Sequence, residues 1–296
     1  MLMFGEPDSQ NLGIVLHTSI ALNLHIDGRE TKFSVLEVEQ RRRCWAGLLM
    51  LYTVQATAFG ITDTMRLDVH QVSLPADVND ADIHPDRIDA ASRRPTEMTY
   101  MLFKFRLYKL SSDICKKVFA PTKPSPDVLA GLVKAINAEE STWDNQYLLD
   151  GEPNLFQYRD QAHWNILHVY ANQLYLLIYR PFVSSDHSIS SQYPEAHRRC
   201  IDASLAILNL HKEFCTSPGF RQYRWFTCGL CSFFALHGAV TLAVLMISIM
   251  DEWREENFSD IPRCRAAFDE LIDRFGNLQQ QSLICAKALP ILTHLQ

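Results

Sequence analysis

Residues 34–52 read SVLEVEQRRRCWAGLLMLY, and this stretch predicts the helix on which the rest of the fold depends. Ser34 followed three residues later by Glu37 has the spacing of a capping box, in which each side chain binds the other residue's backbone N–H. The apolar positions that follow share one helical face: Leu48, Leu49, Tyr52, Ala56 and Phe59. We therefore expect a buried helix over 35–59.

Three consecutive arginines, Arg41 to Arg43, lie in the second and third turns of this helix. Because successive helical residues are about 100° apart, the triplet fans around the axis instead of lining one face. Glu37 precedes Arg41 by four residues and Glu39 precedes Arg43 by four, which is the favourable order for ion pairs. Arg42 is predicted to lie away from the apolar stripe and to add little stability. We interpret the triplet as structural, and a nuclear-localisation signal is the alternative.

Chain length, composition and net charge restrict the class of protein. The chain has 296 residues, of which 47% are hydrophobic and 21% charged, with a formal net charge of −6. A protein that grips the phosphate backbone concentrates positive charge, so the balance argues against DNA binding by this chain alone. The N-terminus MLMFGEPDSQ lacks the features of a signal peptide, and the eight scattered cysteines are expected to be reduced thiols of an intracellular protein.

The apolar spacing is helical nearly everywhere, so the predicted class is all-α, a multi-helix bundle-like arrangement in a single domain over 1–296. A long loop with three prolines is expected at about 61–96. The sequence predicts helices over 10–26, 35–59, 97–119, 127–149, 157–180, 194–214, 222–250, 262–276 and 278–289.

One apolar segment, residues 229–250, has 22 residues without a charge and is long enough to cross a bilayer. His237 near its centre and several small polar residues favour a core helix instead, apolar on all sides and covered by its neighbours. We therefore expect no membrane span.

Candidate sites are few. Cys228 and Cys231 form a lone CxxC, and zinc needs four converging ligands, so no metal site is expected. The aspartates of the long loop (Asp77, Asp80, Asp82 and Asp86) suggest a cation, although solvated carboxylates explain them equally well. A ligand pocket is conceivable around His168, Tyr175 and His237, with core packing as the alternative. No catalytic motif is present, so no catalytic or cofactor-binding residue is assigned.

Several motifs, in order, resemble the middle homology region of fungal zinc-cluster transcription factors. The resemblance covers roughly residues 12–294. It is based on a helix ending LNLHID, a Glu-x-x-Arg-Arg-x-x-Trp helix, a Leu-Pro…Asp loop and a helix ending in Arg-Pro-Phe. The matching positions are Leu24, His25, Asp27, Glu39, Arg42, Arg43, Trp45, Leu74, Pro75, Asp80, Arg180, Pro181 and Phe182. The chain departs from the pattern at Asn23 (Gly in the family), Ala46 (Trp), Tyr52 (Asp) and residues 60–62 (Gly-Arg-Pro).

The resemblance implies a non-catalytic, nuclear regulatory domain, N-terminally truncated, that controls RNA polymerase II transcription. Zinc and DNA binding belong to a six-cysteine module that is not found in this chain, so no cofactor is expected here. Homodimerisation, the transcription machinery or co-regulators, and a small-molecule effector are the partners implied. The rival hypothesis is a helical enzyme or small-molecule receptor without DNA binding.

Overall fold

Helix formation dominates the chain, and the predicted all-α class is confirmed. The computed structural model describes residues 6–28, 32–59, 72–91, 95–149, 152–153, 158–183, 192–252 and 260–296. Within these ranges the helices of at least 13 residues are Glu6–Ala21 (α1), Val35–Phe59 (α2), Thr99–Val118 (α3), Pro126–Tyr147 (α4), Tyr158–Tyr179 (α5), Ala196–Thr216 (α6), Ser232–Glu252 (α7), Ile261–Leu278 (α8) and Leu283–Leu295 (α9). The two strands of this part of the chain, Leu148–Leu149 and Glu152–Pro153, have two residues each.

The chain divides into two compact units. One contains α1 to α3 with residues 135–148, and the other contains residues 125–134 and α5 to α9, so that α4 contributes to both. The expectation of a single regulatory domain over 1–296 stays a prediction.

In the first unit, α2 is the helix against which α1 and α3 pack. Leu16 of α1 forms a buried cluster with Trp45 and Leu48 of α2. A second cluster joins Ala46 of α2 to Met98, Leu102 and Phe105 at the start of α3. Because Ala46 lies in this cluster, a small side chain at the position where the family has tryptophan meets α3 in a fully packed contact.

The end of α1 is a turn in which Asn23 has a left-handed backbone conformation. Asn23 has a φ of 56°, in the left-handed region that glycine and asparagine tolerate best. The Leu24 N–H donates to the Ser19 carbonyl and the Asn23 N–H to the Ile20 carbonyl, each at 2.9 Å. This is a Schellman motif, and it ends the helix at Ala21 instead of the predicted residue 26.

The predicted long loop folds onto the first unit in its described part, whereas residues 60–71 and 92–94 lie outside the described residues. It forms a short 3-10 helix, Asp80–Asp82, and a bridge between Ile83 and Ile88. The Pro85 carbonyl accepts a 2.9 Å hydrogen bond from the Val35 N–H, which joins the loop to the first turn of α2.

In the second unit, α6 and α7 approach closely. A Cβ atom at Gly238 would lie 3.4 Å from the Ser204 backbone and 3.1 Å from a Leu208 methyl group. The apolar stripe of α8 (Phe268, Leu271 and Phe275) is buried, as the sequence predicts. The next helix begins at Leu283 and not near 278, because Ser282 caps it by accepting the Cys285 N–H at 3.2 Å.

The continuous helix predicted over 222–250 is wrong, since a π-helical segment, Thr227–Cys231, interrupts it. Gly229 has φ −107° and ψ −115°, far from helical values. Two serine hydroxyls bind carbonyls of this segment: Ser232 donates to Thr227 and Ser282 to Cys228, each at 2.6 Å. In a regular helix these carbonyl oxygens would accept hydrogen bonds from backbone N–H groups, and here serine hydroxyl groups donate to them.

The helix α7 is buried on one side and not all round, which corrects the expectation for 229–250. Leu242 and Leu245 are 0% and 1% exposed, whereas Val244 and Ile247 are 50% and 55% exposed. One segment among the described residues, Pro218–Ile247, is long and apolar enough to span a membrane, and most of its apolar window is buried within the structure. Such burial is typical of a core helix.

We predict that Asn23→Ala lowers the free energy of unfolding by about 1 kcal/mol, because alanine tolerates a positive φ poorly. Asn23→Gly should match or slightly exceed the wild type, since glycine adopts this conformation without strain. Urea titrations followed by circular dichroism compare the two variants. Equal destabilisation by both would show that the left-handed turn is not formed.

We also predict opposite results for two aspartate substitutions in α7. Leu242→Asp should unfold the second unit, because an unpaired carboxylate in a dry core is very costly. Val244→Asp should be tolerated, because that side chain already meets solvent. Solubility without detergent and melting temperature measure both. A membrane-spanning helix would instead make both variants fail to insert and leave the wild type in the membrane fraction.

Candidate functional site

Each arginine of the triplet reaches a different segment of the first unit. Arg41 donates through Nη2 to the Leu22 carbonyl and lies 4.4 Å from the centre of the Phe33 ring. The capping box beneath it is confirmed, with the Ser34 N–H donating to Glu37 Oε2 at 2.9 Å. These contacts fix the end of α1 against the start of α2.

Arg42 pairs with Asp27, which corrects the expectation that it is a surface residue with little effect. Its Nη2 and Nε lie 2.6 and 3.2 Å from Asp27 Oδ1, and the side chains are 11% and 17% exposed. The other carboxylate oxygen of Asp27 accepts the Ser73 N–H at 3.3 Å. Burial raises the pKa of Asp27, but hydrogen bonds from Arg42 and Ser73 outweigh it, so the pKa lies below its ordinary value.

Arg43 pairs with two acids, of which Glu39 is buried. Arg43 Nε lies 3.1 Å from Glu39 Oε1, as the spacing of four residues predicts, and Nη1 lies 2.5 Å from Asp80 Oδ1. Glu39 is 1% exposed and also accepts the Ala76 N–H at 3.0 Å. Burial lowers the pKa of Arg43, but the bonds to Asp80 and Glu39 outweigh it and raise the pKa. The loop is thus bound to α2 through the Ala76 amide and Asp80, and to Asp27, the partner of Arg42, through the Ser73 amide.

The apolar positions of the motifs surround the same place. Trp45 is 2% exposed and packs against Leu24, while the His25 ring lies 6.2 Å from the Trp45 ring. Pro75 is buried, and Leu74 is 49% exposed. Five charged motif residues and two loop amides are linked by the ion pairs and hydrogen bonds given above, and we call them the arginine–acid network: Asp27, Glu39, Arg42, Arg43 and Asp80, with the N–H groups of Ser73 and Ala76.

The loop aspartates serve as hydrogen-bond acceptors. Asp77 Oδ1 accepts the hydroxyl groups of Thr96 and Thr99 at 2.6 and 2.8 Å, which fixes the start of α3. Asp82 Oδ2 accepts from the Asn79 side chain at 2.8 Å. Within the described ranges, no three His, Cys, Asp or Glu side chains are placed to hold a metal ion.

In the second unit, the Arg-Pro-Phe motif forms a 3-10 turn, Arg180–Phe182, directly after α5. Phe182 is 2% exposed and its ring centre lies 4.2 Å from that of Tyr193. The hydroxyl group of Tyr179 donates to Glu195 at 2.8 Å. The motif therefore fixes the chain after α5 to the residues that precede α6.

Two of the three residues suggested as a ligand pocket, His168 and His237, contact neighbouring side chains. His168 packs on Trp164 with ring centres 4.2 Å apart, and Tyr175 is half-buried. His237 Nδ1 lies 3.1 Å from Gln173 Nε2, and burial, with the positive charge of Arg180, lowers the pKa of His237 to about 4. A cavity of about 10 Å³ in this unit is lined by other residues, among them Ile201, Leu242 and Cys264. That volume suffices for about one water molecule.

A buried polar cluster around His211 was not expected from the sequence. Arg274 Nε donates to His211 Nδ1 at 3.3 Å, so the proton of the neutral ring lies on Nε2, which donates to Ser232 Oγ at 3.1 Å. Burial lowers the pKa of His211 to about 3, so the ring is neutral at physiological pH. Cys285 Sγ also lies 3.3 Å from Ser232 Oγ. This cluster joins α6, α8 and α9 to the π-helical segment.

Lys104 is the second residue that the sequence did not single out. It is 9% exposed, and its ammonium group lies 5.4 and 5.8 Å from the ring centres of Tyr100 and Tyr108. Burial lowers the pKa of Lys104 to about 8. Tyr100 and Tyr108 each lie four residues from Lys104, and this helical spacing is the feature of the sequence that could have indicated the contact.

Comparison with known proteins finds a family match over part of the chain. Residues 11–140 match the family described as the fungal specific transcription factor domain, and this range contains the whole arginine–acid network. This part of the chain is therefore similar to a fungal specific transcription factor domain, the class of module that the motifs resemble.

The relatives are transcriptional regulators. Pyriculol/pyriculariol biosynthesis cluster transcription factor 1 of Pyricularia oryzae is 32% identical over 92 residues, covering 30% of this chain and 12% of that protein. An uncharacterized transcriptional regulatory protein of Schizosaccharomyces pombe is 23% identical, covering 72% of this chain and 28% of that protein. Pyrrolocin cluster transcription factor fsdR of a fungal species is 24% identical, and the match covers 68% of this chain and 27% of that protein. The chain thus spans less than a third of these relatives, and no solved structure matches it.

We predict that Arg42→Ala lowers the free energy of unfolding by about 2–3 kcal/mol, because it leaves the partly buried Asp27 without its charged partner. Arg198→Ala, which removes an exposed arginine paired with Asp202 and Asp260, should cost about 0–1 kcal/mol. A double-mutant cycle with Asp27→Asn isolates the Arg42–Asp27 coupling, measured by chemical denaturation. A coupling near zero would contradict the assignment of this pair.

Proposed function

We propose that the chain is a non-catalytic regulatory part of a fungal transcription factor and acts in the nucleus through contacts with co-regulators or the transcription machinery. The observation on which this rests is the match over 11–140, since the motif residues within it form a single network in the first unit. The relatives named as transcription factors support the same role.

The arginine triplet supports a regulatory role over direct DNA binding. Arg42 and Arg43 donate to carboxylates within the fold, and Arg41 donates to a backbone carbonyl. Guanidinium groups held in this way are unavailable for phosphates, and the chain has a net charge of −6. The same contacts favour the structural interpretation of the triplet over a nuclear-localisation signal. We expect DNA contact and zinc only in a separate module of the family's kind.

The rival hypothesis, an enzyme or a small-molecule receptor, has weaker support. His168 packs on Trp164, and His237 Nδ1 lies 3.1 Å from Gln173 Nε2. The strongly shifted groups His211 and His237 are neutral and hydrogen-bonded to neighbouring side chains. Such contacts support a structural role for both histidines.

The proposal predicts that residues 1–296, fused to an unrelated DNA-binding domain, change transcription of a reporter gene carrying that domain's binding site. Arg42→Ala should remove the effect because it disrupts the arginine–acid network, whereas the matched surface variant Arg198→Ala should keep it. Reporter transcript levels in yeast measure all three fusions at equal protein abundance. A wild-type fusion that behaves like the DNA-binding domain alone would contradict the proposal.

We further predict that the isolated chain gives no specific shift in a mobility-shift titration at near-physiological salt. The reason is the acidic net charge together with the internal pairing of the arginine triplet. Binding of a defined DNA sequence below micromolar concentration would show that the chain holds a basic surface of its own.

A further inference from the structure

The short helical segment between α6 and α7 has an aromatic inner side. The 3-10 helix Pro218–Tyr223 follows α6 and continues as one α-helical turn. Because side chains three residues apart are eclipsed in a 3-10 helix, Phe220, Tyr223 and Phe226 share one side of it. Their ring centres lie 4.9, 6.4 and 5.3 Å from that of Phe214 in α6. These aromatic contacts fix the segment on the second unit.

The outer side of the same segment presents two arginines and a tryptophan to solvent. Arg221 and Arg224 are both exposed and lie three residues apart, so they follow one edge of the helix. Trp225, next to Arg224, is 63% exposed. In the part of the chain that the structure describes, neither arginine pairs with a carboxylate, whereas Arg106 and Arg198, for example, do. Both guanidinium groups are therefore available to a partner.

Two contacts place the start of α9 beside this segment. The Arg224 Nη2 group donates to Gln281 Oε1, and the Ser282 hydroxyl group donates to the Cys228 carbonyl at 2.6 Å. Leu283, the next residue, is 62% exposed, and Lys287 lies exposed one turn further along α9. We call the exposed side chains of both segments the arginine–tryptophan surface: Arg221, Arg224, Trp225, Leu283 and Lys287.

The two stretches of sequence that form this surface contain no carboxylate side chain. The charged residues of 214–250 are Arg221 and Arg224, and those of 274–296 are Arg274 and Lys287. The chain as a whole has 34 Asp and Glu residues against 28 Lys and Arg residues. Positive charge is therefore concentrated here in an otherwise acidic chain, and this favours an anionic partner.

We propose that the arginine–tryptophan surface binds an acidic segment of a separate polypeptide, in which Asp or Glu residues flank a large apolar residue. A guanidinium group matches a carboxylate through two parallel hydrogen bonds, and tryptophan and arginine are the residues that most often dominate the energy of protein contacts. A phosphate backbone is bound by many cations at once, whereas three cations around Trp225 and Leu283 fit a short acidic peptide. The proposal does not depend on the transcriptional role, because the binding is a property of the purified chain.

Fluorescence anisotropy with a short labelled peptide, in which Asp and Glu alternate with Phe and Leu, tests the proposal. We expect saturable binding by the 296-residue chain with a dissociation constant of about micromolar magnitude. Trp225→Ala and Arg221→Glu should each weaken it by about tenfold or more. The matched controls, Val244→Ala at an exposed apolar position of α7 and Arg265→Glu at an exposed arginine of α8, should leave it unchanged.

A second peptide, with Asn and Gln at the acidic positions, tests the role of charge and should bind about tenfold more weakly or less. Because Arg221 and Trp225 are exposed, circular dichroism should show the wild-type fold in both variants. No binding of the acidic peptide by the wild type, equal binding of the two peptides, or binding that both substitutions leave unchanged would each overturn the proposal. Co-sedimentation of the chain with phosphatidylserine vesicles, without peptide binding, would assign the surface to membranes and overturn it as well.

Discussion

The burial of the Glu39 carboxylate beside Arg43 is the constraint on which the first unit depends. Glu39 is 1% exposed, and an isolated charge at such a position would be prohibitively costly. Arg43 and the backbone N–H of Ala76 both donate to Glu39 Oε1 and offset part of that cost, and Arg42 and Ser73 donate to the two carboxylate oxygens of Asp27. Arg42 and Arg43 of α2 therefore bind the same carboxylates as the backbone amides of Ser73 and Ala76. The position of the loop thus depends on the same ion pairs that involve α2.

This dependence separates two roles that basic residues commonly have. An arginine that reads nucleic acid keeps its guanidinium group accessible, whereas Arg42 is 11% exposed with a carboxylate at 2.6 Å. The network thus holds the loop against α2 and the residues that precede it. In the second unit the comparable element is the π-helical segment, whose carbonyls bind Ser232 and Ser282 and so connect α7 and α9.

The sequence predicted those features that depend on neighbouring residues. The capping box at Ser34, the bounds of α2 and the Glu39–Arg43 pair all follow from spacings of three or four residues, and each is confirmed. Arg42 was misjudged because its partner, Asp27, lies 15 residues away, between the turn at Asn23 and the start of α2. The break at Gly229 was missed because the apolar pattern runs through it unchanged, whereas the structure shows it in the backbone angles of Gly229 and in the serine contacts to the neighbouring carbonyls. For residues distant in the sequence, the family resemblance was the only guide. It named Asp27, Arg42, Arg43 and Asp80 as motif positions but did not predict which of them pair.

Native-state hydrogen exchange at the backbone amides of Ser73 and Ala76 tests the account most directly. Both N–H groups donate to carboxylates that the arginines hold, so we expect slow exchange at both in the wild type. With Arg42→Gln, protection should fall at Ser73, while Ala76, which depends on Glu39 and Arg43, should keep more of its protection. Exchange of both amides at the rate of an unstructured peptide in the wild type would show that the buried acids do not hold the loop.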